Sequence, residues 1–512
     1  MTQFAVICVY LCVLVGLGVA SKRAFRGTAQ DFFLASRSIG PLVLLLSVFG
    51  TSMTAFSLVG SSGESFRIGI GVYGLMASWS GLVHAAVFYF AGIRLWAIGK
   101  RHGYTTQIEF FRDRFESRVL ALLLFPVLAG LVIPYVLIGL LGAGSVVQSL
   151  TQGAFPSAFA ATGGGVPLWI TGLGICSVVL LYVFVGGLRA AAWANSLQAA
   201  IFIVTGIATF LLIASKLGGV EAATQAVQAA HPEKLIRGEA IGPLYFLSYS
   251  LIPLSIGMFP HVHQHWLTAK SAASFKPMLV LHPVCLTLVW LPCVLIGVWA
   301  TSATMPDGSL VVPPGSPVNS ELAIMVQRLA SPLMGGILGA GILAAIMSSL
   351  DSQFLAIGSM FTNDVVAQVL GKRGLSERRK VQVGRWFVGA VAVAAYLVSL
   401  SEPRSVFTLG VWCFSGYASL FPIAVAAIYW KRATASGAIA SVIATVTLGS
   451  FFFHDSGYGS TPGYLFLNML PVVTMVTVSA GALVVVSLMT RPPAPRTLSK
   501  FFPHDRNAYD EE

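Results

Sequence analysis

Hydroxyl and carboxylate side chains are costly inside long apolar runs, yet this 512-residue sequence gathers them in one. In GILAAIMSSLDSQFLAIGSMFTNDV, residues Ala345, Ser348, Ser349 and Ser352 recur at helical spacing and put three hydroxyls on one stripe. Hydroxyl and carbonyl oxygens are hard ligands suited to Na+, although a serine stripe also serves helix packing. Asp351 tips the balance. It is the one carboxylate well inside an apolar run, and a role beyond packing is the default reading for such a residue.

Two further runs carry helix breakers. SVFGTSMTAFSLVGSSG holds Gly50, Thr51, Ser52 and Thr54, and IPLSIGMFPHVHQHW holds Pro253, Gly257 and Pro260. A helix broken near mid-membrane frees backbone carbonyls and amides that a continuous helix would consume, and carriers bind solute and ions there. Glycine and proline also pack membrane helices, so each break taken singly is evenly balanced between the two roles. Five spans separate the starts of the two broken runs, and an odd number of crossings reverses the direction of entry, which is the arrangement of an inverted repeat. His261, His263 and His265 could bind metal, but they precede Lys270 near the expected cytoplasmic face, so an interfacial role is expected for them. His84 reads as a packing residue.

These motifs need a membrane scaffold around them. The composition is 56% hydrophobic and only 10% charged, and so few charges cannot clothe a water-facing surface of this length. Apolar runs are expected to span near 3–20, 40–59, 69–93, 119–149, 165–187, 190–215, 241–262, 278–303, 333–360, 386–401, 405–430, 433–453 and 464–490, thirteen in all. The first has no basic region ahead of it and no small-residue cleavage site, so it reads as a retained span and not a signal peptide. Of the 31 lysines and arginines, 25 fall in alternate loops and the C-terminal tail, which places the N-terminus outside and the C-terminus inside. The net charge of +12 thus reports topology and contact with anionic lipid, leaving no reason to invoke nucleic acid. The six cysteines lie in apolar runs without metal spacing and read as small core residues.

At this point the chain resembles the sodium/solute symporters, the family of the proline, pantothenate, monocarboxylate, sialic acid and sodium/glucose carriers. The resemblance rests on DFFLASRSIGP from Asp31, VYGLMASW from Val72, YVFVGGLRAAAWANSLQ from Tyr182, AAIMSSLDSQ from Ala344 and YWKRATASGAIAS from Tyr429, and covers essentially the whole chain. It implies an all-α polytopic LeuT-type fold of two inverted five-helix repeats. One transmembrane domain would cover residues 1–490, with a leading helix at 3–20, repeats at 40–215 and 241–430, two trailing helices at 433–490 and a cytoplasmic tail at 491–512. It further implies a sodium site at the backbone of Gly50, Met53 and Ala345 and the hydroxyls of Ser348 and Ser349. One departure matters. Relatives often carry an aspartate for a second sodium where this chain reads Trp193, Ala194, Asn195. Asp351, with Ser352 and Asn195, is the candidate second cation site, as if the charge had changed helix.

A solute would sit at the breaks, among Ser52, Thr54, Phe56 and Ser57, with Tyr73 and Ser255 as weaker candidates. The stretch after Ser52 lacks the polar cluster of the sugar carriers, and GMFPHVHQHW looks like the GxPH stretch of the proline, pantothenate and monocarboxylate branch. A small carboxylate-bearing solute is the leading expectation, with a sugar or sialic acid as the alternative. Freed amides at a half-helix N-terminus favour such an anion. The expected function is sodium-coupled symport by a monomer in the cell membrane. A passive facilitator or channel would need a pore loop or oligomeric filter, which is not found; a proton-coupled carrier stays open. No nucleophile, acid and base cluster or cofactor fingerprint points to an enzyme.

Overall fold

In the computed structural model, residues 1–21, 37–369, 376–401, 405–461 and 463–502 are described. The motif residues 31–36, and Lys22, Arg23, Arg26, Lys372, Arg373, Arg404 and Arg506 of the charge pattern, lie outside them.

With no water in the hydrocarbon to pair with exposed amides, the apolar runs must satisfy their backbones internally, and all of them are helical. The described elements are α1 (Thr2–Ser21), α2 (Pro41–Ser52), α3 (Phe56–Ile68), α4 (Gly71–His102), α5 (Gln107–Arg114), α6 (Arg118–Leu150), α7 (Leu168–Val185) and α8 (Ala191–Lys216). There follow α9 (Pro243–Gly257), α10 (Pro260–Leu267), α11 (Ala272–Trp299), α12 (Glu321–Leu329), α13 (Pro332–Ala367), α14 (Arg378–Ser399), α15 (Val406–Tyr429), α16 (Ala435–Asp455), α17 (Pro471–Met489) and α18 (Pro495–Phe501). Eleven of these helices are long and apolar enough to cross a membrane, and α2 with α3, bent by 61° at their junction, brings the number to twelve. The run expected to span 241–262 does not make one continuous helix. It folds as α9 and α10, divided at Met258 and Phe259.

Sequence punctuation sets the ends. Pro41 and Pro260 begin α2 and α10, where a missing N–H costs nothing. Ser117, Ser405 and Thr434 cap α6, α15 and α16 by accepting an amide of the first turn. Residues 168–216 form one unbroken run of helix except at Gly187, whose φ of 59° and ψ of −155° turn the chain between α7 and α8.

The buried centre is α13, the most enclosed of the spans, packed by α8, α6, α1 and α2. Small residues let the backbones close up there. A Cβ at Gly142 of α6 would stand 2.3 Å from the Cβ of Ala55, so α6 lies directly against the junction of α2 and α3. At the far end, α18 folds back on α5. Lys500 pairs with Asp113, and Thr497 donates to Glu116.

Candidate ion and solute site at the helix breaks

The first break begins where α2 stops at Ser52. Met53 turns extended, with ψ of 123°, while its amide still reaches Phe49 O. Thr54 then starts α3: its Oγ1 accepts the Phe56 amide at 3.0 Å, its carbonyl accepts the Ser57 amide at 2.9 Å, and its own amide turns to Ser57 Oγ at 3.5 Å. In a continuous helix the Thr54 amide would bond the Gly50 carbonyl. That carbonyl is therefore released, and it accepts the hydroxyl of Ser348 at 2.7 Å. Ser348 Oγ also lies 2.8 Å from Ala345 O, so three hard oxygens from two helices converge on one point.

Gly50 is held from the other side as well. A Cβ there would stand 2.8 Å from the Asn195 carbonyl oxygen, so only glycine allows α8 this close. Met53 is buried beside the junction, and Ser349 Oγ donates back to Ile346 O at 3.0 Å. The structure thus joins Gly50, Ala345 and Ser348 by direct contact, with Ser349 adjacent to Ser348 and Met53 three residues after Gly50 in sequence. Thr51 Oγ1, fully buried and without a hydrogen-bond partner among the described residues, stands next to Gly50; the sequence marked it as weakening the helix and not as a ligand. Its signal was its place inside the first broken run.

Asp351 is completely buried one turn along α13. Tyr182 donates to one carboxylate oxygen and Ser352 to the other, each at 3.0 Å. Ser352 Oγ in turn receives Asn195 Nδ2 at 2.8 Å and stands 3.0 Å from His265 Nε2, while His265 Nδ1 lies 2.7 Å from Ser47 Oγ. Every hydrogen on this chain can point toward the carboxylate: Ser47 to His265, His265 to Ser352, Ser352 to Asp351. Nearby, Gln198 donates to Tyr10 at 3.2 Å, and Asn195 Oδ1 keeps an unused lone pair. Tyr182, His265 and Ser47 are therefore part of the cluster that Asp351, Ser352 and Asn195 announced in the sequence. Tyr182 opens one of the family-like motifs, but nothing in its spacing pointed at Asp351.

The solute candidates divide. Thr54, Phe56 and Ser57 are buried at the first break and Ser255 at the second. Ser52 is half-buried and spends its hydroxyl on Phe49 O. Tyr73 is partly buried at the start of α4, in the sequence just after α3. The three histidines expected at the interface are buried too, because α10 runs into the interior against α2 and α13. Among the described residues no group of three or more His, Cys, Asp or Glu could hold a metal ion.

Three comparisons with known proteins bear on this arrangement. The sodium:solute symporter family model matches residues 32–445. The chain is 26% identical over 478 residues to the sodium/proline symporter of Escherichia coli (strain K12), covering 90% of each. It is 26% identical over 480 residues to the osmoregulated proline transporter OpuE of Bacillus subtilis (strain 168), covering 92% of each. Among solved structures, a Na+-coupled sialic acid symporter in a substrate-bound outward-open state matches with a TM-score of 0.77 at 17% identity, over 96% of this chain and 98% of the other. Mhp1, a nucleobase-cation-symport-1 family transporter, matches with a TM-score of 0.54 at 14% identity, over 92% and 97%.

Beside the C-terminal half of α3 lies an ionisable group outside the spans. Glu321, at the start of α12, packs its carboxylate onto Gly63, and burial, with the Glu64 carboxylate adding to it, pushes it from 4.5 up to about 7. Glu64 itself is paired with Arg67 at 2.5 Å. An acid raised on folding keeps its proton where the unfolded chain has lost it, so stability falls as pH rises from about 4.5 to about 7. The loss is at most about 3.5 kcal/mol. Glu321→Gln should flatten the dependence of melting temperature on pH across that window; an identical slope in the variant would show that Glu321 does not titrate there.

Proposed function

Because the chain belongs to the sodium:solute symporter family, it is a sodium-coupled carrier of a small organic solute in a multi-pass membrane fold, and we propose that its principal sodium site is the convergence of Gly50, Met53, Ala345, Ser348 and Ser349. The observation that carries this is the Ser348 hydroxyl shared between the Gly50 and Ala345 carbonyls. When Na+ enters, that hydroxyl turns its hydrogen away and offers a lone pair, and the three oxygens become ligands in place of hydrogen-bond partners. The ion then ties α2 to α13. Thr54, Phe56 and Ser57 follow directly after the sodium-ligating backbone, so ordering one orders the other, and sodium and solute bind with positive coupling. Ser52 and Ser255 border this solute region.

The wider architecture follows the same reading. Counting α9 with α10 as one interrupted span gives thirteen, arranged as a leading helix, inverted repeats over 40–215 and 241–430, and two trailing helices. The N-terminus lies outside and the C-terminus in the cytoplasm. The packing of α18 against α5 supports this, since both belong to basic loops assigned to one side. All proposed ligands come from one chain, which suits a monomeric carrier. The solute is a small carboxylate-bearing molecule of amino-acid or monocarboxylate type, in keeping with relatives named as proline symporters.

Asp351, Ser352 and Asn195 serve a second cation-linked step. Asp351 either ligates a second Na+ together with the idle Asn195 Oδ1, or carries a proton along the Ser352 and His265 chain.

Three outcomes are expected. Replacing both Ser348 and Ser349 with alanine abolishes sodium-stimulated uptake while the protein still reaches the membrane; unchanged sodium dependence would remove the principal site from this account. A cysteine in the 372–385 loop should react with an impermeant reagent only after the cells are opened, and labelling from outside would invert the topology. Asp351→Asn keeps size and hydrogen bonding but removes the charge. It should cost one coupled cation, read as a shallower sodium Hill slope or a lost pH dependence of uptake, and wild-type values of both would reduce Asp351 to a structural tie.

A further inference from the structure

The second break carries a polar side chain that nothing satisfies. His261 is fully buried in the first turn of α10, and neither ring nitrogen has a hydrogen-bond partner among the described residues. Its imidazole lies on the Phe259 ring, centroids 5.2 Å apart and planes 17° from parallel, and meets Tyr135 of α6 edge-on at 5.3 Å. Phe414 of α15 extends this wall, 5.5 Å from Phe259 and 5.2 Å from Tyr135, and touches Phe56 of α3 at 5.0 Å. One aromatic layer therefore runs from the first helix break to the second.

Burial on α10 does not by itself leave a histidine idle. His265, one turn on and equally buried, has Ser47 on one nitrogen and Ser352 on the other. An imidazole held in an aromatic layer with both nitrogens unpaired costs the free energy of the hydrogen bonds it lacks; His282 of α11, stacked on Phe88, is in the same state, but His261 stands at a helix break.

We propose that His261 is the contact for the solute's carboxylate, with Phe259, Tyr135 and Phe414 receiving its apolar body. This assignment rests on the reading of the solute as a carboxylate and adds the residue and the body that go with it. In either tautomer a neutral imidazole offers one N–H. Beside it, Pro260 brings no donor, and the amides of His261 and Val262 belong to the first turn, where a helix has no carbonyl of its own to give them. The positive end of α10 adds its dipole. The wall offers little to a polyol. The Tyr417 hydroxyl, which borders the Phe259 ring, is already spent on Leu128 O at 3.1 Å, and a sugar placed here would leave most of its hydroxyls unpaired. A compact body of ring or branched carbon, carrying one carboxylate, matches both halves of the site.

The experiment uses the purified full-length protein and L-proline, pyruvate and benzoate, each beside its own carboxamide, with and without Na+. Thermal shift gives the affinities. The wild type should be stabilised in Na+ by at least one of the carboxylates and far less by the corresponding carboxamide. His261→Phe keeps a ring in the stack and loses the donor, so it should bind that carboxylate about tenfold or more weakly. The melting shift produced by Na+ alone should be unchanged. Binding within about twofold of wild type would overturn the role of His261 while leaving the carboxylate reading standing. Should the phenylalanine variant fail to fold, His261→Ala is read by the same threshold. A wild type that responds to none of the carboxylates, or equally to their carboxamides, would overturn the carboxylate reading and this assignment with it.

Discussion

A carbonyl released inside hydrocarbon must find a partner, and the Gly50 carbonyl finds Ser348. Much of the interior is arranged around that one requirement. The carbonyl is free because Thr54 turns its amide to Ser57 and begins a new helix, and it is reachable because α13 carries a serine at the level of the break. It is fixed because Gly50 has no side chain to push Asn195 away. Breaking either hydrogen bond would leave a buried polar group unpaired, at roughly 1–3 kcal/mol each. The bend of 61° between α2 and α3 is thus a held geometry and not a loose joint.

The same logic explains how a carboxylate can sit at the heart of α13. Asp351 draws donors from two sides, with Tyr182 on α7 and Ser352 on its own helix, and Ser352 is in turn supplied by Asn195 and His265. A half-satisfied polar network is worse than an apolar core, and this one is nearly complete. Among the described residues, Asn195 Oδ1 and Gln198 Oε1 beside it have no hydrogen-bond partner. Because Asn195 also presents its backbone to Gly50, the cluster around Asp351 and the convergence at Ser348 share a residue, and a change at one is felt at the other.

Between the two breaks the aromatic layer of Phe56, Phe414, Phe259 and Tyr135 replaces polar ligands with faces and edges. Two kinds of surface therefore lie close together: hard oxygens where α2 meets α13, and rings with an unpaired imidazole between the breaks.

What the sequence determined alone follows from the solvent. Lipid demands long apolar helices, so a many-span helical fold could be read; it penalises carboxylates and interrupted backbone, so Asp351 and the two broken runs stood out; and the helical repeat of Ser348, Ser349 and Ser352 is a local periodicity. The run near 241–262, marked as interrupted by Pro253, Gly257 and Pro260, does fold in two pieces, because helix breakers act locally and are legible in the chain. Only the tertiary structure decided which distant residues complete each site. Tyr182 and Asp351 are 169 positions apart, Ser47 and His265 are 218 apart, and Gly50 and Ser348 are 298 apart. It also enclosed among packed helices three histidines that were expected at the interface. Periodicity reports which face of a helix is buried, but the partner that face meets is set by how the helices pack, and that packing has no local trace in the chain.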